Sequence, residues 1–305
     1  MLKKQQPQTL KYFDKIYLKW HKRSILNKRN SFGSGNERNN FVLKIIKKLK
    51  LKRHLDLGCG TGELIKSSST FSNESIGIDF SEKMIFFAKK KYGENKKRKY
   101  QSINTKEFFK NNKKRFNLIS ANGFFEYFST IEMINLFNDI YKNLSKNGYF
   151  IGSFRNRLFN IFSLNEFSLN ELKANNLNQL MQEAIMLNNY DLKTLFKKKK
   201  SKKVKLNKIK HPITGGHKVN VRNQYTPLQI SKKLIDIGFS IKYIFPINLH
   251  MVNPAVINLS SFKPKIKDNK IFEDLKKISS KVYRNDTYNS LLYQSSTFMI
   301  LAKKN

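Results

Sequence analysis

Arg53-His54-Leu55-Asp56-Leu57-Gly58-Cys59-Gly60-Thr61-Gly62 is the stretch on which the reading of this 305-residue chain turns. A basic lead-in drops into Leu55, Asp56 and Leu57, as in a buried strand, and three glycines follow at alternate positions, Gly58, Gly60 and Gly62. Glycine has no Cβ, so such a loop brings its backbone close to a bound ligand, and a helix opening behind it points its positive end at the same place. Dinucleotide-binding loops favour G-x-G-x-x-G. Here Glu63 occupies the place of the third glycine, and G-x-G-x-G remains.

Working outward, a basic amphipathic helix is expected over Asn36 to Leu49 ahead of the strand, and a further helix from Thr61 to Ser67 behind the loop. Ser75 to Asp79 reads as a second strand ending in an acid, 17 residues beyond Gly62. A carboxylate there can accept two hydrogen bonds from a ribose diol. Ser81 is a good N-cap for a helix over Glu82 to Tyr92. Lys99 to Ile103, Phe116 to Ala121 and Tyr149 to Phe154 read as strands three to five, with a helix over Ile131 to Leu144 whose tail Gly148 terminates. Strands and helices alternating in this way argue for right-handed crossovers and one parallel sheet. Beyond Arg155 the alternation stops. Helical pieces, Leu164 to Leu187 among them, lead into Lys197-Lys198-Lys199-Lys200 and a basic run ending near Lys210. It resumes at Thr226-Pro227 with a helix to Ile237 stopped by Gly238, then strands over Phe239 to Phe245 and Ser296 to Ala302. Between those strands lie a Pro-containing loop, His250 to Pro264, and an amphipathic helix, Asn269 to Val282.

Composition narrows the classes. No run of 18 or more apolar residues appears, and the N-terminus leads into no signal-peptide core, so a soluble cytoplasmic protein without a membrane span is expected. The lone Cys59 excludes an internal disulfide, and five scattered histidines show no zinc spacing, so no metal site is indicated. The net charge of +39 suits a nucleic-acid or membrane-surface partner, yet the chain is also rich in Asn, Ile, Phe and Tyr, which share A/T-rich codons with Lys; genome bias accounts for the charge more simply.

L-D-L-G-C-G-T-G, with Asp79 at the end of the next strand, resembles the first motifs of class I S-adenosylmethionine-dependent methyltransferases, small-molecule O-methyltransferases in particular. The likeness is specific over about residues 41 to 155 and holds by element order over 226 to 302. It implies an α/β fold, a Rossmann-like doubly wound seven-stranded sheet, mostly parallel with an antiparallel last strand and helical cap insertions. It divides the chain into an N-terminal helical lid segment over 1–40, a cofactor-binding core over 41–155, a helical and basic cap over 156–225, and the C-terminal part of the core over 226–305. Leu10, Tyr12, Phe13, Ile16, Tyr17 and Trp20 have helical spacing, and Y-F-D-K-I-x-x-K-W is similar to the N-terminal segment that folds over the cofactor cleft in such enzymes; an ordinary surface helix is the alternative.

For S-adenosylmethionine the resemblance implies Gly58, Gly60 and Gly62, with Cys59 between them, against the methionine portion, and Asp56 orienting the loop and the ammonium group. Asp79 would hold the ribose, Phe80 and the following turn would flank the adenosine, and Asn104 with Thr105 would meet the adenine. Asn122, just past the fourth strand, would face the methyl donor. Transfer to a hydroxyl is helped by a base. Glu126, Tyr127 and His217 are the candidates, Tyr127 standing where related enzymes often carry histidine. Arg155, Arg157 and Arg222 are candidates for binding an anionic acceptor such as a phosphorylated or carboxylated sugar. The expected activity is methylation of a small-molecule acceptor, at a hydroxyl of a sugar, a polysaccharide precursor or a quinone-like metabolite. The alternatives are an RNA methyltransferase using its lysines and an inactive cofactor-binding protein.

Overall fold

A computed structural model describes residues 5–25, 34–161, 163, 165–189, 191–197, 205–209, 222–249 and 292–305. Seven strands form one sheet in the order β3-β2-β1-β4-β5-β7-β6. They are β1 (Arg53–Leu57), β2 (Glu74–Asp79), β3 (Arg98–Ser102), β4 (Phe116–Ala121), β5 (Leu144–Arg155), β6 (Phe239–Leu249) and β7 (Ser295–Lys304). The first five pair in parallel, and β7 runs antiparallel between β5 and β6. The expected doubly wound sheet with an antiparallel last strand is the fold observed. Its order reverses between β1 and β4, which opens a crevice at their carboxyl ends.

Helices cover both faces. On one, α5 (Thr105–Asn111), α6 (Thr130–Asn143) and α10 (Pro227–Ile237) bury Phe108, Phe137, Ile140, Leu228 and Leu234 against Leu55, Phe116 and Phe150. On the other, α2 (Ser34–Leu49) packs Val42, Ile45 and Ile46 against Leu64 of α3 (Glu63–Ser68) and against Leu118, Ile151 and Met299. Burying such a side chain contributes roughly 1.5–3 kcal/mol, so the residues of β1 and β4 that point into these layers hold the crevice rigid from both sides.

Local signals set the boundaries. Ser81 caps α4 (Glu82–Tyr92) through a bond from the Met84 amide, Thr226 and Gln229 form a capping box on α10, and Gly238 ends that helix in the left-handed region. Some expectations need correction. β5 begins at Leu144, so Gly148 lies inside the strand and does not terminate a helix. The helical stretch expected over Leu164 to Leu187 is two helices, α7 (Glu166–Lys173) and α8 (Leu177–Asn189), parted where Asn175 takes a positive φ; α9 (Leu192–Lys197) follows. β6 runs past Phe245 through Pro246, which an edge strand tolerates because one side of it pairs with nothing in the sheet. The loop and helix expected over His250 to Pro264 and Asn269 to Val282 lie outside the described residues, as does the lysine run from Lys198 to Val204.

Candidate functional site

A cavity of about 530 Å³ opens at the carboxyl ends of β1, β2 and β4. Gly58 and Gly60 form part of its wall, Ile78, Asp79, Phe80 and Met84 another, and Ile103, Asn104 and Thr105 a third; Asn122, Gly123, Phe124, Tyr127 and Phe128 line the side after β4. Gly58 is required by shape as well as by backbone, Gly60 by backbone. Gly58 has φ +68°, and a Cβ there would stand 2.6 Å from the Phe124 ring; Gly60 has φ +55°, and a Cβ there would meet the Met84 sulfur and the Trp20 indole nitrogen in ordinary contact, each at 3.5 Å.

The two other members of the motif do different work. Gly62 presses against Tyr100 and Ala88, where a Cβ would meet atoms at 2.6 and 2.9 Å, so it serves the packing of helix on sheet. Cys59 is buried beside Gly77, burial pushes its thiol well up, and it stays an inert packing group. Neither lines the cavity, and nor does Asp56. Asp56 instead accepts a 2.6 Å bond from the Ser120 hydroxyl, which also lies 2.7 Å from His54 Nε2, while His54 Nδ1 lies 3.0 Å from Ser68 Oγ. Burial raises the Asp56 carboxyl to about 7 and lowers His54 to about 3. This relay ties β1 to β4 and to α3 beneath the loop, a bracing role in place of the expected contact with a ligand ammonium.

Asp79 holds the loop directly. Its Oδ2 accepts from the Gly60 amide at 2.9 Å and its Oδ1 from the Ser81 amide at 2.9 Å. Burial raises its carboxyl to about 6, with hydrogen bonds from the Ser81, Gly60 and Phe80 backbone pulling the other way. Asn104 reaches the cavity but spends its side-chain oxygen on the N-terminus of α5, accepting from the Glu107 amide at 2.9 Å. The expected adenine contact through that oxygen competes with a helix cap. Asn122 donates to Asn39 Oδ1 at 3.1 Å, whereas its own Oδ1 is buried with no hydrogen-bond partner.

α1 (Gln5–Ile25) roofs the cavity with Thr9, Phe13 and Trp20. Phe13 packs edge-on against both Trp20 and Tyr127. Two polar clamps fasten the helix: His21 Nδ1 lies 2.6 Å from Glu63 Oε1, on the helix behind the glycine loop, and Ser81 donates to Asp14. Phe13 and Trp20, from the aromatic N-terminal face, thus lie over the cavity. Glu63, which takes the place of the third dinucleotide glycine, is thus the anchor of that roof.

Of the candidate bases, His217 lies outside the described residues. Tyr127 lines the cavity and hydrogen-bonds Glu126; burial, aided by the Glu126 charge, holds its hydroxyl well above the usual range, so it stays protonated at neutral pH. Glu126 is clasped by Arg222, whose Nη2 lies 2.9 and 3.0 Å from its two oxygens, with Arg155 Nε at 3.8 Å. Burial alone would raise the Glu126 carboxyl, but Arg222 and Arg155 together outweigh it and hold it below the usual value. A carboxylate so stabilised is a weak base. Arg157 lies elsewhere: it forms a buried bidentate pair with Glu171 at 2.6 and 2.8 Å, and donates to the Asn207 carbonyl, inside the cap. It is a structural residue, which corrects its assignment to an anionic acceptor.

Sequence reasoning missed Arg38 of α2, whose guanidinium lies about where a Gly123 Cβ would be, at 3.0 Å, and also Met84, Phe124 and Phe128. Met84 was open to inference as the first helical turn after Asp79-Phe80-Ser81; Arg38 has no local signal. Among the described residues no His, Cys, Asp or Glu cluster could hold a metal, and no helix is long and apolar enough to cross a membrane.

Residues 55–150 match the family described as a methyltransferase domain. No curated protein matches the chain. Among solved structures, magnesium protoporphyrin IX methyltransferase from Synechocystis PCC 6803, with bound S-adenosylhomocysteine, is similar with a TM-score of 0.52 and 13% identity over 97% of each chain. A S-adenosylmethionine-dependent methyltransferase from Clostridium acetobutylicum is similar with a TM-score of 0.51 and 12% identity, over 94% of this chain and 98% of that one. At such identities the likeness is one of fold.

Proposed function

We propose that this chain, whose residues 55–150 match a methyltransferase domain, is an S-adenosylmethionine-dependent methyltransferase that transfers the methyl group to a hydroxyl of a small molecule. The observation that carries this reading is the roof: Thr9, Phe13 and Trp20 of α1 cover the donor cavity with a largely aromatic surface that continues into Tyr127, Phe124 and Phe128 of the cavity wall. A flat or apolar small molecule fits such a surface; a structured nucleic acid is too large to enter under it.

The residues present fit the cofactor. Gly58 and Gly60 offer bare backbone on the cavity wall, in left-handed conformations that disfavour side chains, and the orphaned Asn122 Oδ1 offers an acceptor to a donor such as an ammonium group. Asp79 retains lone pairs for a ribose diol beyond the bonds its oxygens accept from backbone amides. Phe80 and Met84 supply apolar contact for an adenosine, and Thr105 polar contact at its edge. Bound S-adenosylmethionine supplies a methyl carbon already activated by its sulfonium.

What the protein adds is alignment and exclusion of water. Trp20 and Phe13 shield the donor end from above, and the rigid carboxyl ends of β1 and β4 fix the direction from which an acceptor approaches. Tyr127, held protonated, is suited to donating a hydrogen bond and not to taking a proton. Glu126, held ionised, takes one only weakly. Transfer therefore relies on positioning and favours a hydroxyl that is already acidic. The test is turnover with methyl-labelled S-adenosylmethionine against extracts fractionated into small molecules, lipids and RNA. Label in a small hydroxylated product is the expected result, and label confined to RNA would overturn the reading.

A further inference from the structure

The donor cavity extends past the groups assigned to the cofactor. Beyond Ile103, Asn104 and Thr105 it follows one stripe of α6, where Glu132, Asn135 and Asp139 line it together with Lys106 of α5. These α6 positions stand three and four residues apart, so they share one side of the helix, and the stripe runs for about 10 Å. α5 and α6 pack together on one face of the sheet. Gly58 and Gly60 follow β1, Asp79 and Phe80 close β2, and Asn104 follows β3. A cofactor whose methionine portion meets the glycines and whose ribose meets Asp79 therefore carries its base toward the end of β3, where α5 and α6 line the cavity.

The exocyclic amino group of an adenine is a hydrogen-bond donor, and the side chains at this end differ in what they can accept. Asn104 is tied to the first turn of α5 at both ends of its amide: Oδ1 accepts from the Glu107 amide at 2.9 Å and Nδ2 donates to Glu107 Oε2 at 3.2 Å. Glu132 turns back to the start of its own helix, where Oε2 accepts from the Ser129 amide at 2.8 Å in a capping box. The amide of Asn135 can present either its oxygen or its nitrogen, so it accommodates any substituent and selects none. Asp139 is different. Its backbone carbonyl accepts from Asn143 at 2.9 Å, but among the described residues its carboxylate accepts no hydrogen bond and closes no ion pair. We propose that Asp139 selects the adenine of the cofactor by accepting a hydrogen bond from its amino group. The inference rests on the methyltransferase reading and deepens it, moving recognition of that group from the end of β3 to α6. An ionised carboxylate only accepts, so it suits an amino group and opposes an oxo group at the same position. Burial raises the half-buried Asp139 carboxyl above its usual value, against the pull of Lys142 and Lys106. A carboxylate partly withdrawn from water in this way gains from a fixed donor.

The experiment titrates the full chain by calorimetry with S-adenosylhomocysteine and, separately, with S-inosylhomocysteine, in which an oxo group replaces the amino group of the base. The wild type is expected to bind the first more tightly by about tenfold or more. In Asp139→Asn, whose amide can donate as well as accept, that ratio falls to about twofold or reverses. Asp139→Ala, which takes its place if the first variant does not fold, lowers the ratio through weaker binding of S-adenosylhomocysteine alone. Asn104→Ser keeps an N-cap on α5 and, like Asn135→Ala, leaves the ratio within about twofold of wild type. A side chain with a purely structural role would weaken both ligands together and leave their ratio unchanged. Equal binding of the two ligands by the wild type, a wild-type ratio in the Asp139 variants, or a ratio that collapses in Asn104→Ser or Asn135→Ala would each overturn the proposal. A wild type that binds neither ligand contradicts the methyltransferase reading itself, and so the two failures are told apart.

Discussion

Around the glycine loop, the groups that shape the cavity come from positions close together in sequence: Gly58 and Gly60 follow β1 directly, Asp79 and Phe80 end β2, and Met84 sits in the next helical turn. Around Glu126, the groups come from α2, from the turn after β4, from the end of β5 and from the segment before α10. One end of the site is built mainly from backbone conformation, the other from side chains that only the tertiary fold brings together. Backbone sites depend on a few residues that tolerate no side chain, so they fail abruptly. Charge clusters share their work among several groups and fail by degrees.

The sharpest contrast is expected from Gly60→Arg, which places a side chain at φ +55° against Trp20 and Met84. Affinity for S-adenosylmethionine should fall by about hundredfold or more, read by calorimetry, against little change in that affinity for Arg222→Gln. Equal losses in the two variants would erase the distinction between the ends of the site.

A comparison of arginines comes next in size. Arg157→Ala strands the fully buried Glu171 carboxylate, and the expected cost is about 3–5 kcal/mol in denaturant unfolding. Arg155→Ala should cost clearly less, because Glu126 keeps Arg222. Similar losses would show that both arginines serve the scaffold.

The relay beneath the loop predicts a dependence on pH. Burial raises the folded-state carboxyls of Asp56 to about 7 and Asp79 to about 6, from 3.8. The folded chain then binds more protons than the unfolded one between these values, so ligand-free stability falls as pH rises from about 4 to about 7 and levels off above. Asp56→Asn should remove much of that slope and raise stability at pH 8 by on the order of 1–3 kcal/mol, measured as thermal midpoints across the range. A slope unchanged in Asp56→Asn would place the titration elsewhere.

The smallest effect concerns the roof. His21→Ala removes the clamp on Glu63 while leaving the cavity wall intact. About a threefold to tenfold loss of affinity for S-adenosylmethionine is expected, and no loss would mean that α1 closes without that clamp.

These cases also show where sequence carries information about the site. The order of strands was legible because apolar runs, caps and stops such as Ser81, Thr226-Pro227 and Gly238 act locally. Gly58, Gly60, Asp79 and Phe80 were legible for the same reason, lying in or beside two strand ends. Within the same motif, however, residue type did not reveal direction: Asp56 turns to Ser120, Cys59 to Gly77 and Gly62 to Tyr100, because the left-handed turns after β1 and the neighbouring strands and helices, not residue type, set where each one points. Asn104 lies at the cavity, but its capping bond to the Glu107 amide depends on where α5 starts. Arg38 was invisible. Apart from the adjacent Glu37, its partners lie more than 80 residues away in the chain, and a lysine- and arginine-rich sequence offers no local mark to separate it from the other cationic residues.

The most direct test of the whole account is calorimetry of S-adenosylmethionine with the wild-type chain and with Gly60→Arg. The account predicts one saturable site in the wild type and none in the variant. No binding by the wild type, or equal binding by both, would contradict it.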